Sequence, residues 1–246
     1  MPSKKTPAAP KRYLRSLIHG PQGSGKTRLM GTAAQDPRTA PCLILDFEGG
    51  SLTLEGMPGE YEIVPIRTWD DYSEVYNDRL LDNTEGWKSV GIDSLSETHI
   101  FALLTIVKRD AARRKNPDLI EQGDYGTAMV QMRRLIREFK DLPEMHTIFL
   151  SSSKDVKDPR DGMVKKPALS GQLADDIPGM MDFSGYLALL PEVDEDGDET
   201  GGVTRTLILQ NEPRVRARSR APWGVVLPDE IHNPTMTSIL DTFGIA

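Results

Sequence analysis

The residues Gly20-Pro21-Gln22-Gly23-Ser24-Gly25-Lys26-Thr27 match the pattern G-x-x-x-x-G-K-[ST] at each of its fixed positions. This spacing suits a cradle for phosphate oxygens. The glycines let successive backbone N–H groups point inward, and a helix starting at the lysine adds the positive end of its dipole. Lys26 is then placed for the β- and γ-phosphates of ATP, and the Thr27 hydroxyl for Mg²⁺. The flanks agree. Tyr13 to Ile18 alternates apolar and polar residues as a strand does, and Arg28 to Ala34 is free of proline and reads as helix.

Four further groups supply candidate chemistry. Asp93 ends the apolar stretch Ser89-Val90-Gly91-Ile92, where a carboxylate can hold Mg²⁺ through its water shell or simply cap the next helix. Asp46 and Glu48 end the run Leu43-Ile44-Leu45, two apart and so on one face of a strand. Either can polarise a water toward a γ-phosphate, or both can be solvated turn residues. Ser151, Ser152 and Lys154 follow the run Thr147-Ile148-Phe149-Leu150, as a sensor of the γ-phosphate or as a serine-rich turn. Arg214, Arg216, Arg218 and Arg220 alternate with small residues, which on a strand places all four on one side. They suit a protected edge, or an arginine offered to phosphate in cis or from a neighbouring subunit, with Arg218 and Arg220 the candidates.

The elements that must position these residues follow from periodicity. Strands are expected near 13–18, 43–45, 61–66, 89–93 and 147–150. Helices are expected after the glycine-rich turn, over 70–81 with Asp70 as cap, from Ser94 to about Arg114 with Ser94 and Glu97 in capping-box spacing, and over 125–141. In the last of these, Met129, Met132, Leu135, Ile136 and Phe139 repeat at helical spacing and face the core. Residues 155–166 read as a polar loop. Tyr186–Leu190 and Thr204–Gln210 read as antiparallel strands around the acidic tip Asp194–Glu199, 215–226 as an extension of that β-rich end, and 235–243 as a short helix. The order strand, helix, strand, helix, then hairpins gives an α/β class: a mostly parallel sheet flanked by helices, with an antiparallel C-terminal edge.

The chain has 246 residues and a net charge of −7. Residues 1–11, rich in Pro, Ala and Lys, read as a disordered tail, and 12–246 as one domain. The longest apolar stretch, Ile100 to Val107, is too short to span a bilayer, and no secretory signal is evident. The single cysteine, Cys42, opens an apolar run and reads as core. It excludes an intramolecular disulfide and points to a reducing cytoplasm. The basic residues Lys108, Arg109, Arg113, Arg114 and Lys115 form one compact run, and Lys157, Arg160, Lys165 and Lys166 lie in the polar loop. Each group is a solvated face or a phosphate-binding patch.

With these residues in place, the chain resembles the RecA-type recombinase core, and within it the small phage-encoded RecA-like ATPases of single-strand annealing and recombination. The resemblance spans roughly Arg12 to Leu227 and rests on the P-loop, LILDFEGG, SVGIDSLSE, TIFLSSSKD and PALSGQLADDIPGMMDFSGYLALL. It implies a RecA-like P-loop fold and an ATPase, stimulated by DNA, using ATP and Mg²⁺. It implies Glu48 as the water-activating acid, Asp93 as the Mg²⁺-holding acid, and Ser151 and Ser152 at the sensor strand, where the family carries an amide. It also implies two loops facing single-stranded DNA, at about 108–124 and 155–166, and Arg218 or Arg220 acting across a subunit interface. The partners it implies are single-stranded DNA, further copies of the chain with ATP between them, and a single-strand-binding protein or recombinase. The place of action it implies is the cytoplasm, that of the host cell for a phage-encoded protein. Two other functions share the P-loop: a small-molecule kinase, whose arginine-rich lid Arg214–Arg220 would mimic, and a non-catalytic nucleotide switch or loader.

Overall fold

The computed structural model describes residues 11–193 and 199–246. The N-terminal tail, apart from its last residue, and most of the acidic tip 194–199 lie outside the described residues. The chain runs β1 (Arg15–Gly20), α1 (Lys26–Gly31), β2 (Cys42–Asp46), β3 (Tyr61–Pro65), α2 (Trp69–Val75), β4 (Ser89–Asp93), α3 (Leu95–Asp110), α4 (Gln122–Lys140), β5 (His146–Asp158), β6 (Gly162–Pro167), α5 (Leu173–Met180), β7 (Phe183–Val193), β8 (Glu199–Ile208), β9 (Arg218–Ser219), β10 (Glu230–His232) and α6 (Met236–Thr242). The main sheet has the order β10-β8-β7-β1-β5-β4-β2-β3. From β7 to β3 every pair is parallel, while β8 and β10 add antiparallel strands at the far edge. The expected α/β architecture with an antiparallel C-terminal edge is present.

Both faces of the parallel strands are apolar because both are covered. Leu43, Leu45, Val90, Ile92 and Phe149 pack against α2 to α5, through residues such as Leu103, Met132 and Phe139. Their alternates Cys42, Ile44, Ile148 and Leu150 pack on the opposite face with Met30, Ile239 and Phe243. This is why the strands read as continuous apolar runs rather than alternating ones. The helical spacing in α4 is borne out: Met132, Leu135, Ile136 and Phe139 are fully buried and Met129 packs at the edge of the same core. Burying Phe139 alone contributes about 2–3 kcal/mol. Cys42 is buried, and burial pushes its thiol up to about 12, in keeping with a core role.

Three local expectations are corrected. The second helix starts at Trp69 with Thr68 as its cap: the Thr68 hydroxyl accepts from Asp71 N, and Asp71 returns the bond to the Thr68 N–H. Ser94 does not cap α3 with its side chain. Residues 155–166 are not a loop. β5 runs on to Asp158, turns at Gly162 (φ 74°), and returns as β6, with Val156 opposite Val164 and Asp155 opposite Lys165. The Asp158 carboxylate closes that turn by accepting from Arg160 N and Asp161 N at 2.9 and 3.3 Å. Within 215–226 the expected β-structure is limited to Arg218–Ser219, paired with β7, and to isolated bridges of Val215 with Lys165 and Glu212.

One buried contact sets an acid limit on the fold. Leu14 N donates to His146 Nδ1 at 3.0 Å, which requires that nitrogen unprotonated. Burial, helped by the charges of Lys11 and Arg38, lowers the ring to about 4. The unfolded chain takes up the proton near pH 6.5. The stabilisation is therefore complete above that pH and is lost as pH falls from about 6.5 toward 4. His146→Asn keeps an acceptor without the titration. Between pH 7 and pH 5 the variant is expected to lose about 2 kcal/mol less stability than the wild type, read from urea midpoints. Equal losses would assign the acid sensitivity elsewhere.

Candidate functional site

β5 lies between β1 and β4, in register with both, so three carboxyl ends converge. Gly20 sits opposite Ser152, and Asp93 of β4 opposite Asp46 of β2. Two glycines hold this convergence close. A Cβ on Gly20 would stand 2.5 Å from the Leu187 carbonyl oxygen of β7, and one on Gly91 2.4 Å from Met30 Sδ of α1. Gly23 and Gly25 take φ of 75° and 91°, the left-handed conformation the P-loop needs. The loop is closed by Ser24 Oγ donating to Pro21 O at 2.9 Å and Leu29 N donating to Gly25 O at 2.9 Å.

Lys26 Nζ donates to Gly20 O and Pro21 O at 3.1 and 2.8 Å. Burial lowers its pKa, against the opposing pull of Glu48 and Asp93. Thr27 Oγ1 donates to Asp93 Oδ2 at 2.6 Å. Asp93 is 2% exposed, and burial pushes it up to about 6, with Glu48 and Asp46 adding to the rise and Thr27 opposing it. A hydroxyl and a carboxylate in contact, with all-oxygen donors, suit Mg²⁺, which takes one or two protein ligands and completes its shell from substrate phosphates and water. No cluster of three or more His, Cys, Asp or Glu able to hold a metal alone exists among the described residues.

The two acids ending β2 separate sharply. Asp46 is buried, and its carboxylate accepts from the N–H groups of Glu48, Gly49, Gly50 and Ser51 at 2.7 to 3.3 Å. It shapes the turn. Glu48 projects into the cleft, where Ser94 Oγ donates to Glu48 Oε1 at 3.3 Å. Ser94 therefore serves the candidate base rather than the helix start, and Glu97, its expected capping partner, lines the same cleft. Ser152 reaches the cleft as well, and its N–H donates to Ser96 Oγ at 3.1 Å. Ser151 is buried behind it, 3.1 Å from the same Ser96 hydroxyl. Lys154 turns away to the Leu169 carbonyl. The cleft measures about 580 Å³.

Among the described residues, the arginines lining this cleft are Arg28 and Arg205. Arg205, on β8, carries no local signal in the sequence. Its Nε donates to Ser24 O at 3.2 Å and lies over Gly25. Arg218 and Arg220 do not line the cleft within one chain. Arg218 pairs with Ser184, whose own neighbour is Leu17, well short of the P-loop end of β1. Arg220 donates to Gly179 O at 2.7 Å. Both are exposed, with Val215 and Ala217 buried between the arginines, so the alternation in the run holds even where the strand does not.

The basic runs divide. Arg114 is withdrawn: its guanidinium grips Asp124 at 2.7 and 2.5 Å with both side chains under a tenth exposed, a fork that joins the end of α3 to the start of α4. Lys165 pairs with Asp155 at 3.0 Å, Lys166 with Asp175 at 2.6 Å and Arg109 with Asp110 at 3.3 Å. Lys108, Arg113, Lys115, Lys157 and Arg160 are exposed and have no carboxylate partner among the described residues.

A family model described as AAA domain matches residues 12–221. The chain belongs to the AAA domain family. This AAA domain is thus a P-loop ATPase-type domain, with a mostly parallel sheet and flanking helices. Comparison with curated proteins gives no match. Among solved structures, it is similar to the flagellar accessory protein FlaH from Methanocaldococcus jannaschii (9% identity, 89% of this chain and 84% of that one, TM-score 0.45). It is also similar to an ATPase from the type III secretion system of pathogenic bacteria (12%, 71% and 51%, 0.48) and to the RadB recombinase (13%, 89% and 84%, 0.44). No helix among the described residues is long and apolar enough to cross a membrane.

Proposed function

We propose that this AAA domain hydrolyses ATP with Mg²⁺ and couples the cycle to single-stranded DNA, in recombination or annealing of the phage type, as several copies with ATP between them. The observation that carries the proposal is the meeting of Lys26, the Thr27–Asp93 pair, Glu48 and Ser152 in one cleft at the carboxyl ends of β1, β4, β2 and β5. Glu48 accepts a proton from water as its oxygen bonds to the γ-phosphorus. The bond from that phosphorus to the β–γ bridging oxygen breaks, leaving ADP and phosphate. Lys26 and the P-loop N–H groups hold the phosphate oxygens, and Asp93 with Thr27 would hold Mg²⁺, which supplies neutralisation of their charge. With Arg218 and Arg220 outside the cleft, a single chain has no arginine-rich lid made from the late basic run, which favours water over a second substrate as acceptor. The same two arginines, exposed, are free to meet ATP held by a neighbouring copy.

The link to DNA rests on continuity. Ser152 and the free cations Lys157 and Arg160 lie on one uninterrupted hairpin. A second tie runs from the P-loop strand. His19, buried and lowered to about 4 chiefly by desolvation, sits 3.0 Å through Nε2 from the carbonyl of Arg216, whose guanidinium binds Asp158 and Asp161 at the hairpin turn. Lys108 lies in the last turn of α3, the helix that follows strand β4, and Arg113 and Lys115 lie just beyond that helix.

Steady-state ATP hydrolysis with and without single-stranded DNA tests this, with Lys26→Ala as the blank. DNA is expected to raise turnover in the wild type. Replacing Lys157 and Arg160 together by Ala should weaken DNA binding and lower its salt slope by about 2, with DNA-independent turnover intact. ATP binding with no DNA-dependent turnover would instead make the chain a nucleotide switch.

A further inference from the structure

The late basic run ends in a built corner. Val225 N donates to Pro222 O at 3.1 Å and Gly224 takes a φ of 85°, so residues 222–225 form a tight turn with Trp223 at its second position. Both legs of the turn are fixed. On one side Arg220 N donates to Asp182 O at 2.8 Å. On the other, Leu227 packs against the core that holds Ile239 and Phe243. The indole at the corner is nonetheless fully exposed, whereas Trp87 is buried and Trp69 packs edge-on against Tyr72. Just before the turn, two guanidinium groups converge. Arg220 Nη2 donates to Gly179 O at 2.7 Å near the end of α5, and a Cβ on that same glycine would stand 3.4 Å from Arg218 Nη1. Neither arginine has a carboxylate partner among the described residues, while Arg216, earlier in the run, is paired with Asp158 and Asp161.

We propose that this corner is a base-stacking platform for single-stranded DNA, where Trp223 stacks on an unpaired base while Arg218 and Arg220 hold the phosphates beside it. The inference rests on the DNA reading above and adds a contact outside the β5–β6 hairpin and the end of α3. Two like charges held side by side without a carboxylate gain from a polyanion that meets both. An indole offers a flat face that any base can meet, so no particular sequence is required. The chain joins this corner to the hairpin without a break: Arg216 binds the hairpin turn, Arg218 lies in β9, and Arg220 and Trp223 follow. Residues 216 to 223 span at most about 25 Å when extended. That is short enough for one strand to cover, since sites on single-strand-binding folds run to about 4–16 nucleotides. A second copy of the chain is the rival partner, because Val226 is exposed as well. Two apolar side chains fall far short of the roughly 800 Å² that a stable interface buries on each partner. The indole beside two unpaired guanidinium groups fits the nucleic acid better.

Titration of the full chain with oligothymidylate, read by tryptophan fluorescence and by binding affinity without nucleotide, tests this. The exposed indole of the wild type is expected to be quenched by the single strand and not by a duplex of the same length, whose bases are already stacked. Trp223→Ala should weaken single-strand binding by about tenfold, within the range for one stacked base. Trp223→Phe keeps an aromatic face, so it should stay within about threefold of the wild type while losing the quench, which assigns the signal to this indole even if the alanine variant folds poorly. Replacing Arg218 and Arg220 together by Ala should lower the salt slope by about 1.4, at about 0.7 for each phosphate contact on a single strand. A wild type that binds the strand with no quench, and as tightly as Trp223→Ala does, overturns the platform and leaves the hairpin reading standing. A wild type that binds no single strand overturns both. A Trp223→Ala variant that keeps its DNA affinity but sediments as a smaller assembly overturns the platform too, and makes the corner a contact between copies.

Discussion

Glu48→Gln is expected to bind ATP as the wild type does and to turn it over about 10²- to 10⁴-fold more slowly, the usual worth of a positioned general base. The substitution keeps the size of the side chain and an oxygen able to accept from Ser94 Oγ, so the cleft is preserved. It removes only the capacity to take a proton from water. Asp46→Asn provides the contrast. Asp46 has no part in proton transfer on this geometry, since its oxygens already accept from the N–H groups of Glu48, Gly49, Gly50 and Ser51. Asparagine can offer one oxygen to those donors but sets an NH₂ against the rest, so its effect should appear as lost stability and a displaced Glu48. Turnover measured beside nucleotide binding separates the two. If Glu48→Gln retains full turnover while Asp46→Asn is dead but folded, the roles are reversed.

The pair also shows where the sequence speaks and where it stops. Lys26, Thr27 and Asp93 are legible because their signals are local: a contiguous motif, and an acid ending an apolar strand. Asp46 and Glu48 cannot be told apart from sequence, since two residues apart they share a face, and only the positions of four backbone N–H groups assign one to the turn. Ser94 and Glu97 have ideal capping-box spacing, yet the Ser94 hydroxyl is drawn to Glu48 from another strand. The β5–β6 hairpin reads as a loop because it leaves the core. Its residues lack the apolar alternation that marks a half-buried strand, and the turn residues Pro159 and Gly162 are the remaining clue. Arg114 looks like its basic neighbours until the fold brings Asp124, ten residues on, within reach. Arg205 has no local mark at all. It stands 181 residues from its partner Ser24, and only the strand order β8-β7-β1 brings the two together.

Asp93→Asn should make the protein inactive and more stable at the same time. The carboxylate is held at 2% exposure, next to Glu48 and Asp46, with one hydroxyl from Thr27 as its hydrogen-bond donor. Its folded pKa of about 6 lies above the ordinary carboxylate value of 3.8. Between those values the folded state keeps a proton that the unfolded chain has released, so this group makes stability fall as pH rises from about 4 to about 6, after which the cost is constant. The gap between the folded and unfolded values bounds that cost at roughly 3 kcal/mol, and an effective value of about 1–3 kcal/mol is expected. Asparagine can still accept from Thr27 without bearing the charge. In buffer with chelator, the variant should therefore melt above the wild type at pH 7.5 and close to it at pH 4. The same buried charge is what makes the site ready for a divalent cation, since a desolvated carboxylate gains most from one. Mg²⁺ with ATP should accordingly raise the melting temperature of the wild type and do far less for Asp93→Asn, whose turnover should fall by about 10²-fold or more. A variant no more stable than the wild type at pH 7.5 would mean that Asp93 is better solvated than its burial implies. One that keeps Mg²⁺-dependent turnover would move the metal to Glu97 or Glu48, the other carboxylates lining the cleft.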